Sequence, residues 1–126
     1  MSHSLRILVV DDEVGFARSL GRSLRRLGHQ PTLALHPDDA LALFREQSFD
    51  AVITDIDMPE MNGVDLARSL RKERGDVPIA FCTGSDPASG RMIEASALGP
   101  VRGKCASEAD VRAILLALTA MLVAAE

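Results

Sequence analysis

Apolar positions along the chain fall into two alternating patterns: short β-branched runs, and longer runs with helical spacing. Leu5-Arg6-Ile7-Leu8-Val9-Val10 is short and apolar, as a strand buried on both faces should be. Val14, Ala17, Leu20, Leu24 and Leu27 then recur at steps of three and four, and mark one face of a helix that Gly28 ends. Gln30 to Leu35 reads as a second, weaker strand. Pro37, followed by Asp38 and Asp39, opens a helix, because a first turn tolerates a missing N–H and its positive end favours acids. That helix carries Ala40, Leu41, Leu43 and Phe44, and Ala51 to Thr54 is the third strand. Met58 to Gly63 reads as a loop, and Val64, Leu66, Ala67 and Leu70 form the next helical stripe. Val77 to Cys82 is the fourth strand, with Pro78 tolerated near its start. A shorter helix over Ala88 to Leu98 and a weak strand over Pro100 to Gly103 follow. Ser107 with Asp110 forms a capping box that starts the last helix. Fivefold strand–helix alternation predicts an α/β fold: a doubly wound parallel sheet with helices on both faces and right-handed connections.

Composition narrows this reading. A chain of 126 residues suits one domain, residues 1–126, with a single core. Its net charge of −4 argues against direct nucleic-acid binding, which needs a basic surface. Cys82 and Cys105 have neither metal-type spacing nor a disulfide framework, so a reducing, cytoplasmic setting is expected. No apolar signal segment precedes the first strand, and the apolar run from Ala113 to Ala125 is too short to span a bilayer, so no membrane insertion is expected.

The candidate chemistry lies where the predicted strands end. Asp11, Asp12 and Glu13 follow the first strand, Asp55 the third, Thr83 the fourth and Lys104 the fifth. In an open parallel sheet those carboxyl ends form one rim, where ligands bind. Carboxylates gathered there repel one another unless one is protonated or a cation sits among them. A set of oxygen ligands without His or Cys suits Mg²⁺. A carboxylate beside that ion can attack phosphorus without a general base, since it is already ionised. Lys104, the Thr83 hydroxyl and the metal would stabilise charge on the phosphoryl oxygens.

With these residues in place, the chain resembles the receiver domain of two-component response regulators. The resemblance rests on Leu-Val-Val-Asp11-Asp12-Glu13, on Asp55-Ile-Asp-Met58-Pro59-Glu-Met-Asn-Gly63, on Thr83 and on Lys104. It implies a flavodoxin-like five-stranded parallel sheet of order 2-1-3-4-5 with five helices. Asp55 would accept a phosphoryl group from a histidine kinase or histidine phosphotransferase and switch partner binding or dimerisation. Asp12 and Asp55 would bind Mg²⁺ directly, Asp57 through its main-chain carbonyl and Asp11 through water. Lys104 and Thr83 would contact the phosphoryl group. Such a chain is a phosphoacceptor switch rather than a multi-substrate enzyme. Two positions depart from the family pattern. Cys105 follows Lys104 where the family has a cis proline, and a cis bond before any other residue costs about 2.5–4 kcal/mol. Val101 stands where the family has an aromatic.

Other readings carry different expectations. A degenerate receiver would act as a binding module without a phosphorylation switch. Asp55-Ile56-Asp57 also mimics the Asp-x-Asp of haloacid-dehalogenase-type phosphatases, although there the motif follows the first strand of a longer chain. The Asp57 side chain is expected to be a solvated acid at the mouth of the site. Arg18, Arg22, Arg25 and Arg26 are expected on a solvated helix face, and His3, His29 and His36 at the surface. In the last helix Leu115, Leu118 and Leu122 are expected to face the sheet. Ile114, Leu116, Met121 and Val123 would extend the apolar surface outward and suit a homodimer contact or an output domain.

Overall fold

The structure, a computed structural model, describes residues 4–84, 90–104 and 107–125. Strands β1 (Arg6–Val10), β2 (Gln30–Ala34), β3 (Ala51–Thr54), β4 (Ile79–Thr83) and β5 (Val101–Gly103) alternate with helices α1 (Val14–Arg26), α2 (Pro37–Glu46), α3 (Gly63–Glu73), α4 (Gly90–Leu98) and α5 (Glu108–Ala125). The strands form one parallel sheet of order β2-β1-β3-β4-β5, as expected. Alternate residues of each strand point to opposite faces and divide the core in two. Leu8, Val10, Val52, Ile79 and Phe81 pack with Ala40, Val64, Leu66, Leu70 and Ala95 of α2, α3 and α4. Ile7, Val9, Ile53, Ala80 and Cys82 pack with Leu20 and Leu24 of α1 and Val111, Ile114 and Leu118 of α5.

Local chemistry sets the element ends. Gly28 takes φ 93°, and the N–H groups of Gly28 and His29 donate to the carbonyls of Arg25 and Leu24. These paired bonds are a Schellman cap, which needs a left-handed residue that glycine supplies without strain. Asn62 caps α3, its side chain accepting from the Asp65 N–H at 2.9 Å. Ser107 caps α5 in the expected way, accepting from the Asp110 N–H at 3.2 Å.

Several expectations need correction. β4 begins at Ile79 rather than Val77, because Pro78 has no N–H to give to the ladder, and it extends to Thr83. Within α5, Ile114 is buried against the sheet and Met121 packs partly on the same cluster, so neither extends an outer apolar surface. Leu116 and Val123 are exposed as expected. His29 is half-buried rather than superficial, and its Nδ1 accepts the Leu5 N–H at 3.0 Å. Arg18, Arg22, Arg25 and Arg26 are all exposed on α1. The expected start of the fourth helix at Ala88 and the Lys104–Cys105 peptide lie outside the described residues, as does any contact of Cys105.

Candidate functional site

The sheet order opens a crevice at one place. From β1 the chain passes to β2 on one side, then returns through α2 to β3 on the other, so the loops after β1 and β3 diverge. Asp11 and Asp55 sit at this divergence. The Asp11 N–H donates to the Ala34 carbonyl at 3.1 Å, and the Asp55 N–H to the Val10 carbonyl at 2.9 Å. Both backbones are thus extensions of the ladder, and both side chains are buried, at 2% and 4% exposure.

Gly63 allows the β3 loop to close. A Cβ there would lie 1.8 Å from the Asp55 carbonyl oxygen, so only glycine permits this approach. The Gly63 N–H donates to the Ile56 carbonyl at 2.7 Å. Together they tie the N-terminus of α3 to the backbone of Asp55.

Three aspartates converge. Asp11, Asp12 and Asp55 each offer an oxygen, all within 4.8 Å of one another. Asp55 Oδ1 accepts the Ile56 N–H at 2.8 Å, and Asp11 Oδ1 accepts the Glu13 N–H at 2.9 Å. Lys104 reaches in from the end of β5, and its Nζ donates to Asp55 Oδ2 at 3.1 Å, to Asp11 Oδ1 at 3.1 Å and to Glu13 Oε1 at 2.8 Å. Its backbone N–H donates to the carbonyl of Thr83, the buried last residue of β4, at 3.0 Å. The Phe16 ring centroid lies 5.3 Å from Nζ, a cation–π contact.

Burial dominates the electrostatics. It pushes Asp55 from 3.8 up to about 6, Asp11 adds repulsion, and the bond from Lys104 only partly offsets both. Burial also raises Asp11. For Lys104 burial works against the charge, yet hydrogen bonds to Glu13, Asp11 and Asp55 outweigh it and hold the ammonium above its ordinary value. Cys82, under the same rim, is pushed up to about 12 by burial, with Asp11 and Asp55 adding, and is an inert core thiol.

Asp11 Oδ2 tests whether the site fits a cation. It is fully buried and has no hydrogen bond among the described residues, although the charge of Lys104 Nζ lies 3.0 Å away. A buried carboxylate oxygen left this way is costly. Three hard oxygen donors with one such orphan fit a divalent cation.

The expected site residues Asp11, Asp12, Asp55 and Lys104 thus come together, with Thr83 at the next strand end. The Asp57 carboxylate does not join them: it is exposed and pairs with Arg91 of α4 at 3.1 Å. Phe16 and Arg91 are the contributors that the motifs did not single out, and Glu13 stood in the acidic run without a role of its own. Glu13 adjoins the acidic pair in sequence, but nothing local shows that it meets Lys104.

A doubly wound parallel sheet with an acidic rim facing a lysine is the arrangement of a receiver type of signalling domain. The chain belongs to the response regulator receiver domain family, whose model matches residues 7–115. It is 40% identical over 88 residues to the response regulator MprA of Mycolicibacterium vanbaalenii, a stretch covering 70% of this chain and 38% of that protein. Against MprA of Mycobacterium tuberculosis it is 38% identical over 89 residues, covering 71% and 39%. The matched stretch therefore spans about two fifths of these curated relatives. Among solved structures it is similar to the response regulator TrrA of Thermotoga maritima in complex with Mg(2+)-BeF, at TM-score 0.80 and 29% identity, covering 90% of this chain and 98% of that one. A receiver domain protein from Clostridium thermocellum matches at TM-score 0.81 and 26% identity, covering 92% and 95%. No helix among the described residues is long and apolar enough to cross a membrane.

Proposed function

We propose that Asp55 is the phosphoacceptor of a cytoplasmic receiver unit spanning residues 1–126, and that its modification switches the affinity of the chain for its partners. The observation that carries this reading is the approach of Lys104 Nζ to Asp55 Oδ2, 3.1 Å, beside two further buried or half-buried aspartates. One carboxylate oxygen of Asp55 attacks phosphorus, the bond from phosphorus to the donor breaks, and the donor leaves with its electron pair. A histidine kinase or histidine phosphotransferase is the natural donor: with a proton on the other nitrogen of its phosphorylated imidazole, the ring leaves neutral when the P–N bond breaks. Asp55 is mostly ionised at neutral pH even with its raised value, so no separate base is needed. Lys104 would transfer one hydrogen bond from Asp55 Oδ2 to a phosphoryl oxygen, and the Thr83 hydroxyl, at the adjoining strand end, would contact another. Asp11, Asp12 and Asp55 would hold Mg²⁺, with the main-chain carbonyl of Asp57 as a further donor, and the bound ion would neutralise phosphoryl charge. That a TrrA structure is in complex with Mg(2+)-BeF supports this assignment.

Asp55→Asn tests the proposal. With Mg²⁺ and a small phosphodonor, the wild type should gain the mass of one phosphoryl group and the variant none. Equal labelling of the two proteins would remove Asp55 as acceptor.

A further inference from the structure

We propose that Glu13 is a positioning residue for Lys104, holding its ammonium where a phosphoryl oxygen on Asp55 must be met; this rests on the phosphoacceptor reading of Asp55. Glu13 occupies the N-cap position of α1, where the short side chains of Ser, Thr, Asp or Asn ordinarily accept from the first N–H groups of the helix. It makes no such bond. Its Oε1 accepts instead from Lys104 Nζ at 2.8 Å, across 91 residues of chain, in the shortest of the three bonds the ammonium makes.

The three acceptors differ in what else is asked of them. Asp55 gives up a free carboxylate oxygen when it takes the phosphoryl group. Asp11 belongs to the group of aspartates that fits a cation, and its Oδ1 already accepts the Glu13 N–H. Glu13 lies outside that group, so its hold on Lys104 survives both metal loading and phosphoryl transfer. An ammonium has three donors. The one now directed at Asp55 can move to a phosphoryl oxygen while the one to Glu13 stays in place. Phe16, two residues into α1, covers Nζ from the same side. Both contacts come from the start of α1, which is anchored in the core by Ala17, Leu20 and Leu24. β5 has three residues, and none of them is fully buried. Lys104 therefore takes its aim from α1 more than from its own strand.

Glu13 is two-thirds exposed and caps nothing with its side chain, so replacing it leaves neither a cavity nor a lost cap. The chain has two lysines, Lys72 and Lys104, so isotope labelling of lysine side chains gives two amine signals. Lys72 is exposed on α3 and serves as the internal reference. In Glu13→Ala the Lys104 amine protons should exchange with water about tenfold faster than in the wild type, with Glu13→Gln, which keeps an acceptor oxygen, in between. Phosphorylation of Asp55 by a small donor should slow by about three- to tenfold in Glu13→Ala, at unchanged Mg²⁺ affinity, and Glu13→Gln should recover most of the rate. Unchanged amine exchange in Glu13→Ala would overturn the proposal. So would a rate loss that merely tracks weaker Mg²⁺ binding, or one that Glu13→Gln fails to recover. A wild type that takes up no phosphoryl group would overturn the phosphoacceptor reading and the positioning role with it, whereas a labelled wild type with an indifferent Glu13→Ala would sink the positioning role alone.

Discussion

The two halves of the rim are held in place by different means. On the acidic side, β3 is buried from end to end and β1 over all but its first residue. The N–H groups of Asp11 and Asp55 prolong their ladders, so the sheet itself fixes both residues. On the basic side, Val101 is half-buried and Arg102 and Gly103 are exposed. Among the described residues Lys104 has one backbone bond, to Thr83, and its side chain is met by the carboxylates it faces and by Phe16. Core packing places the acids and charge places the lysine. Perturbing the backbone should therefore disturb the first half, and removing a charge the second.

Gly63→Ala should have the largest effect. Its Cβ would meet backbone, the Asp55 carbonyl oxygen at 1.8 Å, which no rotamer change relieves. We expect a loss of about 3 kcal/mol or more in urea denaturation, together with loss of Mg²⁺ binding as the β3 loop shifts. A folded variant with wild-type stability and Mg²⁺ binding would show that the loop gives way to the methyl group and that this close backbone contact does not set the position of Asp55.

Lys104→Ala should come next. It leaves three carboxylates without their cation, and we expect a loss of about 2–3 kcal/mol without divalent ions. Saturating Mg²⁺ should recover much of this, since it binds the folded state and replaces the missing charge. Equal losses with and without Mg²⁺ would mean that packing of the lysine stem, rather than its charge, holds this half together.

Asp55→Asn should have the smallest effect on stability, and of opposite sign. The folded-state pKa of Asp55, about 6, stands above its ordinary 3.8. Ionising it therefore costs the folded state more than the unfolded one. That cost is absent below about pH 4, grows between about pH 4 and 6, and is constant above. Asparagine removes it, at the expense of one bond to Lys104. Without cation the variant should be more stable by about 1–2 kcal/mol near neutral pH, a gain that disappears below about pH 4. A gain independent of pH would place its origin elsewhere.

Much of this molecule is legible in short stretches of sequence. The paired acids after β1, the Asp55-to-Gly63 run and the capping pair Ser107 and Asp110 act over a few residues, so their spacing is their geometry. The phase of α5 was legible only in part: Leu115 and Leu118 face the sheet as the pattern expected, while Ile114 and Met121 join them against it. The helix is apolar nearly all round, so its periodicity cannot set the edges of the stripe that faces the sheet. Packing against α1 and β4 chose Val111, Ile114 and Leu118, which buries a residue that the pattern had placed outside. The partner of Asp57 was hidden for a different reason, since Arg91 lies 34 residues further along the chain and meets it only once the chain has folded.

Sequence alone determined the alternation of strands and helices, the burial of β1, β3 and β4, and which residues carry chemistry at their ends, because these follow from side-chain type and local period. Only the tertiary structure decided which carboxylates Lys104 would meet, that Asp11 Oδ2 would be left without a bond, and that Glu13 would turn from its own helix toward Lys104. Those outcomes depend on distances between strands far apart in the chain. Such distances are set when the sheet closes around its core.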